Sequence, residues 1–201
     1  YLESVDVPFF SVAWAPDGRR LATGAANGAV QLWDADTLEP SAPAGRQSPY
    51  PVRGLAFSPD GRLLASTTEL ATSRLWDVAS GAPVGGDLVG GEVPVTVAAI
   101  PHPNRPEVPF VPSFSPDGRI VYHTRSHDRT IVAYDVDPHT GAASNQRLFA
   151  RIAPEDGIPD GSTVDAEGHV WCTHWDGARV TRYRPDGTVL KTWGFYDGGD
   201  T

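Results

Sequence analysis

The sequence predicts an all-β, β-propeller-like protein with four repeats of four-stranded antiparallel blades. Four short segments align without gaps around the same kind of turn, and an aromatic marker recurs 17 or 18 residues beyond each turn. The 21 Gly and 19 Pro residues leave no window with an uninterrupted helical period. Short strands and turns that repeat every 40 to 60 residues or so are typical of propeller blades.

Each repeat is built on a turn with one chemistry. An apolar strand runs into Pro-Asp-Gly or Ala-Glu-Gly, and a second strand follows at once. Proline presets φ, the acidic residue tolerates the bend, and glycine accepts a positive φ. The four segments are AWAPDGRR (13–20), AFSPDGRL (56–63), SFSPDGRI (113–120) and TVDAEGHV (163–170). The markers of the third strand are LWD ending at Asp34, LWD ending at Asp77, AYD ending at Asp135 and RYR ending at Arg184.

The spacing of the turns predicts the domain organisation. The turn acids lie 43, 57 and 50 residues apart, and the longest interval contains a Gly- and Pro-rich stretch. We therefore expect two blades in residues 1–90, a seam in 91–109 and two blades in 110–201, all within one propeller domain. The segment YLESVDV (1–7) could serve as an outer strand that closes a ring.

Composition limits the partners and the compartment. A net charge of −9 without a basic stripe argues against a nucleic-acid partner. The single cysteine excludes an internal disulfide framework. No apolar run is long enough to span a membrane and no signal segment is present, so we expect a soluble, cytoplasmic protein without a membrane partner. The chain has no methionine and begins at Tyr1, which suggests a processed, excised or assembled chain.

Comparison of the repeats singles out one carboxylate. Asp160 lies seven residues before the turn acid Glu167, and the same offset in the other repeats gives Phe10, Arg53 and Phe110. If the blades are equivalent, these four side chains point at the channel axis. One carboxylate beside a guanidinium and two phenyl rings is a poor set for a hard cation, which needs about six to eight oxygens. We therefore expect Asp160 to pair with Arg53 or to cap its turn, and to bind no metal.

Other candidates are explained more simply by structure than by chemistry. His123, His127 and His174 are predicted on strands or turns, where an acid–base or metal role remains open. Cys172 alternates with Trp171 on a predicted strand and is expected in the core. The sequence DVDPHTG (135–141) imitates the start of a calcium loop, but Gln146 occupies the twelfth position, where calcium loops carry a glutamate, so we predict a hairpin turn.

Two resemblances follow from these segments. Residues 8–90 resemble bacterial WD repeats, through AWAPDGRRLATGAANGAVQLWD and AFSPDGRLLASTTELATSRLWD. Residues 110–195 resemble the gluconolactonase/regucalcin (senescence marker protein) family. The carrying segments are FSPDGRIVYHTRSHDRTIVAYDVDPHTGAASNQRLFA and DGIPDGSTVDAEGHVWCTHWDGARVTRYRPDG.

The second resemblance implies a calcium or zinc site at the top of the channel, held by a Glu, an Asn and an Asp. Asp160 matches the aspartate, Phe110 stands where the asparagine belongs, and the glutamate has no match. The pair His174-Trp175 recurs in bacterial relatives of that family, which implies a packing role for His174 near the channel.

These observations lead to a primary hypothesis and a rival. The primary hypothesis is a non-catalytic propeller scaffold or interaction module, present as a fragment, a fusion or an engineered blade assembly and needing no cofactor. It would bind a protein or small molecule at the channel mouth around Phe10, Arg53, Phe110, Asp160 and His174, and it could form a homo-oligomer. The rival is a lactonase-type hydrolase that depends on calcium or zinc, with Asp160 as metal ligand or base.

Overall fold

Four separate antiparallel sheets make up the structure, a computed structural model. It describes residues 7–42, 45–69, 72–88, 111–126 and 128–195. Within these ranges the only helical element is a single 3₁₀ turn at Pro154–Asp156. The all-β, propeller-like fold is therefore confirmed. The proposed seam 91–109 and the segment 1–6 lie outside the described residues, and the domain boundaries remain a prediction.

Each sheet has four strands that are hydrogen-bonded in chain order, so each sheet is one blade. Blade 1 consists of β1 (Phe9–Trp14), β2 (Arg20–Ala25), β3 (Ala29–Asp34) and β4 (Gly45–Arg46). Blade 2 consists of β5 (Val52–Phe57), β6 (Leu63–Thr68), β7 (Ser73–Asp77) and β8 (Pro83–Leu88). Blade 3 consists of β9 (Ser113–Phe114), β10 (Ile120–Arg125), β11 (Thr130–Val136) and β12 (Ala143–Arg151). Blade 4 consists of β13 (Ile158–Val164), β14 (Val170–Trp175), β15 (Arg179–Tyr183) and β16 (Val189–Gly194).

The repeated turn joins the first two strands of each blade, as the sequence predicts. In blade 2, the Asp60 carboxylate accepts hydrogen bonds from the Arg62 backbone N–H (3.0 Å) and the Ser58 hydroxyl (2.6 Å). Gly61 has a φ of 71°, a conformation that side chains with a Cβ rarely adopt. Asp117 in blade 3 makes the same two kinds of hydrogen bond. The turn residues therefore determine where each hairpin reverses.

The fourth turn differs from the gapless alignment. In the first three blades the turn closes across five residues, as in Ser58 N–H to the Leu63 carbonyl, whereas in blade 4 it closes across four, from Asp165 N–H to the His169 carbonyl. Strand β14 is therefore displaced by one residue relative to the gapless alignment. Tyr183 consequently pairs with Val170, where the gapless alignment expects Trp171.

Successive blades pack face to face through apolar cores. We call the face of a blade that points to the preceding blade its leading face, and the opposite one its trailing face. The trailing face of blade 1 packs on the leading face of blade 2 through Ala22, Val30, Leu32, Val52, Leu55, Leu64, Trp76 and Val78. Equivalent cores join blade 2 to blade 3 and blade 3 to blade 4. Burial of these faces supplies the main stabilisation of the fold.

The innermost strands contact one another in chain order, β1 with β5, β5 with β9, and β9 with β13. Among the described residues, no comparable contact links the strands of blade 1 to those of blade 4. The blades thus form a consecutive series whose first and last members are not packed on each other. None of the described helices has the length and apolar character needed to cross a membrane.

Candidate functional site

Three of the four positions selected by comparing repeats lie in the same structural feature, a β-bulge near the start of the innermost strand. The strand pairing shifts between Phe9 and Ser11, between Val52 and Gly54, and between Pro159 and Ser162. Phe10, Arg53 and Asp160 are therefore bulge residues of blades 1, 2 and 4. Bulges re-aim side chains and are frequent beside binding sites. Phe110 lies outside the described residues.

The structure brings two of these side chains into contact. The Arg53 guanidinium carbon lies 4.1 Å from the centroid of the Phe10 ring, a cation–π contact between blades 1 and 2. A guanidinium nitrogen of Arg53 also lies 3.2 Å from a carboxylate oxygen of Glu69. The Arg53 side chain is mostly buried, so its charge is held in a fixed place. The contacts with Phe10 and Glu69 therefore fix the position of the Arg53 guanidinium.

Glu69 is a neighbour that the comparison of repeats missed. It follows β6 directly, and its backbone N–H donates to the carbonyl of Pro51 at 2.9 Å. This places it across the β5–β6 hairpin from Arg53. The sequence could have indicated this pair, because Arg53 and Glu69 have opposite charges and lie at the two ends of a predicted hairpin, where they face each other.

Asp160 is a neighbour of the buried thiol of Cys172. Cys172 is fully buried, and burial raises the pKa of its thiol to about 12; a hydrogen bond with the Asp160 backbone opposes this shift, and the Asp160 charge adds a smaller contribution to it. A thiol that stays protonated is a poor nucleophile. The expected core role of Cys172 therefore agrees with its environment.

His174, predicted as a channel residue, is buried in blade 4. Its Nδ1 lies 2.9 Å from the backbone carbonyl oxygen of Asp156. Burial lowers the pKa of His174, and the hydrogen bond to Asp156 opposes that shift. His174 Nε2 has no hydrogen-bond partner within the described part of the chain. These contacts suit a neutral, structural histidine, and a binding role for His174 remains a prediction.

His123 is a second buried histidine, at the interface of blades 2 and 3. Its Nδ1 lies 2.6 Å from the hydroxyl of Ser73, which in turn lies 2.6 Å from the hydroxyl of Thr67. Burial lowers the pKa of His123 to about 4, and the Arg125 charge adds to this. His127, the neighbouring histidine of the sequence analysis, lies outside the described residues.

We expect His123 to make the protein sensitive to acid. An unfolded histidine has a pKa of about 6.5, so between about pH 6.5 and 4 the unfolded state binds more protons than the native state. Stability is therefore lost as the pH falls through this window, by about 3 kcal/mol for this residue. Urea unfolding at several pH values gives the free energy of unfolding as a function of pH, and this dependence on pH should be weaker in His123→Gln than in the wild type. The matched control is His139→Gln, an exposed turn residue. A pH dependence of stability that is unchanged in His123→Gln, or that is altered only in His139→Gln, would contradict this assignment.

The described residues contain one cluster of metal-ligand type, Asp165, Glu167 and His169 at the fourth turn. The guanidinium of Arg182 occupies it. The Nη2 atom of Arg182 lies 2.6 Å from an Asp165 oxygen, 2.7 Å from a Glu167 oxygen and 3.1 Å from His169 Nδ1. Although burial opposes ionisation, hydrogen bonds from Trp171, His169 and Arg182 hold the pKa of Asp165 well below its usual range. The cluster is an ion-pair network built around Arg182, and with the guanidinium in this place it does not fit a divalent cation.

The side chains at the bulge positions supply few oxygen ligands for a metal. Asp160 supplies carboxylate oxygens, but Phe10 supplies none and Arg53 supplies a positive charge. A hard divalent cation needs several oxygen ligands and is repelled by a nearby guanidinium. The described bulge residues therefore do not by themselves fit a metal centre.

A model of the SMP-30/gluconolactonase/LRE-like region matches residues 6–195. The chain belongs to this family. The match runs through residues 8–90, so assigning that segment to WD repeats, and regarding the chain as a chimera, is not supported.

Individual relatives of this SMP-30/gluconolactonase/LRE-like protein match shorter stretches. A pentonolactonase of Haloferax volcanii is 39% identical over 83 residues, covering 41% of this chain and 28% of the relative. An L-arabinolactonase of Azospirillum brasilense is 49% identical over 74 residues, 37% of this chain and 24% of the relative. Human regucalcin is 39% identical over 80 residues, 39% of this chain and 27% of the relative. The matched part of the chain thus spans about a quarter of the length of these relatives.

These comparisons correct the primary functional hypothesis. The prediction of a non-catalytic scaffold is wrong, because the family and the names of its matching members point to a lactonase type of protein. The expectation that no cofactor is needed is not supported either. The family resemblance implies a divalent metal, although the three side chains of ligand type at the fourth turn are already held by Arg182. The site residues themselves, Phe10, Arg53, Phe110, Asp160 and His174, stay a prediction.

Proposed function

We propose that this protein is a lactone hydrolase whose reacting groups are the bulge residues of the innermost strands. The family match over residues 6–195 carries this proposal, and two of the matching relatives are named as lactonases. Because the alignments cover a part of each relative, the activity of the whole protein belongs to the proposal.

Lactone hydrolysis needs a proton acceptor and a group that stabilises negative charge on the carbonyl oxygen. Water adds to the acyl carbon, the carbonyl oxygen becomes an oxyanion, and the bond to the ring oxygen then breaks. A carboxylate placed beside the water accepts its proton, and a fixed cation stabilises the oxyanion. The released ring oxygen takes up a proton and leaves as a hydroxyl group.

The bulge residues match these two roles. Asp160 is the carboxylate that would accept the proton of the attacking water. Arg53, held by Glu69 and the Phe10 ring, would donate hydrogen bonds to the oxyanion. A guanidinium restrained by two neighbours loses little freedom when it binds an oxygen. The Phe10 ring would cover one side of the substrate and keep water from its apolar edge.

A form of the same activity that depends on calcium or zinc is the alternative. In it Asp160 would be a metal ligand, as the family resemblance implies, and the remaining oxygens would have to come from groups other than Phe10 and Arg53. Because the described bulge residues do not fit a cation, protein side chains take every role in the proposed reaction.

The substrates that follow from the names of the relatives are lactones of small sugars, especially pentoses. Sugar lactones carry several hydroxyl groups, and polar groups near the bulges, such as Glu69, would bind them. The small-molecule partner of this site is therefore a polar, cyclic ester and not an extended acyl chain.

The proposal is tested by following acid release from L-arabinolactone in a pH-stat. We expect hydrolysis well above the spontaneous rate, and activity that persists in EDTA would support the metal-free form. Activity that EDTA removes and one metal restores would support the metal-dependent alternative. A rate equal to the spontaneous one with every sugar lactone would refute both forms.

A further inference from the structure

The β13 bulge of blade 4 has buried flanks and a more accessible centre. The bulge residues Asp160 and Gly161 lie between Pro159 and Ser162, the residues at which pairing with β14 stops and resumes. Pro159 and Ser162 are buried, whereas Asp160 and Gly161 are partly exposed. The position of the Asp160 carboxylate therefore depends on what holds the two flanking residues.

Both flanks are held by hydroxyl groups of the neighbouring blade 3. Ser126, the residue that follows β10, donates its hydroxyl hydrogen to the carbonyl oxygen of Pro159 at 2.5 Å. The Thr124 hydroxyl lies 2.7 Å from the hydroxyl of Ser162. Thr124 is 1% exposed and Ser126 is 3% exposed, so water does not compete for these hydrogen bonds. Blade 3 thus restrains the bulge of blade 4 on both sides.

The alternation of side chains along β10 explains why these hydroxyls face blade 4. Tyr122, Thr124 and Ser126 lie two residues apart, so they point to the same side of the blade. Tyr122 packs in the apolar core between blades 3 and 4. The same face therefore continues from this core into two hydroxyl groups at the level of the bulge.

The interface between blades 1 and 2 repeats this arrangement. Ser11 of blade 1 donates its hydroxyl hydrogen to the carbonyl oxygen of Val52 at 2.9 Å, and Val52 directly precedes the bulge residue Arg53. A Cβ on Gly24 would lie 2.4 Å from Ser11 Oγ, so the glycine leaves room for this contact. In both interfaces a serine of the preceding blade thus holds the carbonyl that comes just before a bulge residue.

We propose that Ser126 positions the Asp160 carboxylate, acting through the Pro159 carbonyl. The Pro159 carbonyl and the Asp160 N–H belong to one planar peptide unit, so a bond that fixes the carbonyl also fixes the backbone of Asp160. Ser126 is buried and is a positioning residue, not a group that touches the substrate. Its importance for catalysis rests on the proposed function, whether Asp160 is the base or a metal ligand.

Steady-state hydrolysis of L-arabinolactone by Ser126→Ala tests the proposal. We expect kcat to fall about 10- to 100-fold with KM nearly unchanged, because a small displacement of a reacting group lowers the rate steeply. Ser113→Ala is the matched control, since it removes a buried hydroxyl of blade 3 that has no hydrogen-bond partner within the described residues. Near-UV circular dichroism checks that each variant is folded. An unchanged kcat in Ser126→Ala, or equal losses in the two variants, would overturn the proposal.

A combined variant separates positioning from a general structural effect. If Ser126 acts through Asp160, Ser126→Ala should lower kcat little further once Asp160→Asn is present, because residues that act as a unit are not additive. The same fractional loss in the Asp160→Asn background as in the wild type would show that Ser126 acts independently of Asp160, and it would contradict the proposal.

Hydrogen exchange gives a readout that needs no activity. The Gly161 N–H donates to the Thr173 hydroxyl at 3.1 Å, so its exchange reports on how firmly the bulge is held. Exchange of Gly161 should be faster in Ser126→Ala than in the wild type or in Ser113→Ala. If the wild type hydrolyses no sugar lactone, the proposed function fails, and the exchange rate alone decides the role of Ser126. An unchanged rate in Ser126→Ala would then refute it.

Discussion

Asp160→Asn is expected to reduce the hydrolysis of a sugar lactone by about 10²- to 10⁴-fold, the usual contribution of a positioned general base. The substitution keeps the size of the side chain and its place in the β13 bulge. It removes the ability to accept a proton from water. The loss should be in kcat more than in KM, because the base acts on the water in the transition state. Initial rates in the pH-stat measure this effect.

A matched substitution in the same blade shows whether the effect is local. Asp186 lies in the outer turn of blade 4, where its carboxylate accepts a hydrogen bond from the Thr188 N–H at 2.9 Å. Asp186→Asn changes the net charge by the same amount but lies away from the bulges, so it should retain wild-type rates. Equal losses of hydrolytic rate in the two variants, or full activity of Asp160→Asn, would show that Asp160 takes no part in the reaction.

Trp76→Ala is expected to cost about 3 to 5 kcal/mol of the free energy of unfolding, as large aromatic truncations in a core do. Its indole fills the space between blades 1 and 2 so closely that a Cβ on Gly45 would lie 2.1 Å from the ring. The substitution would leave a cavity and free the Ser66 hydroxyl of its indole donor. Guanidinium unfolding followed by circular dichroism measures the change.

Trp33→Ala is the internal control, because Trp33 holds the equivalent place in blade 1 and makes the equivalent hydrogen bond. Its ring is only partly buried within one chain, so its loss should cost about 1 kcal/mol in the monomer. Similar losses for both variants would mean that the leading face of blade 1 is covered within the chain.

The repeats were predictable because their turns obey local chemistry. Proline, an acid and a glycine specify the reversal wherever they recur, and the hydrogen bonds of Asp60 and Asp117 show this directly. The equivalence of Phe10, Arg53 and Asp160 also followed from counting residues back from the turn. Each of the three proves to be a bulge residue, a feature that the alternation of side chains alone does not predict.

Other features depend on contacts that are distant in the chain. The fourth turn is one residue shorter than its counterparts, because the hydrogen bond of Asp165 N–H goes to His169, and no residue type in TVDAEGHV signals this. Arg182 pairs with both Asp165 and Glu167 from a strand 15 to 17 residues away. The wrong functional hypothesis came from weighing missing metal ligands more heavily than the resemblance of the strands around Asp160.

The most direct test of the central claim is to locate the bound ligand by NMR. The claim is that the bulges of the innermost strands form the lactone site. Titration of ¹⁵N-labelled protein with a non-hydrolysable lactam analogue of a pentonolactone should shift the amide signals of Phe10, Arg53 and Gly161 and the side-chain signal of Arg53. Saturable shifts confined to Trp171, Trp193 and their neighbours, or no saturable shift at all, would contradict it.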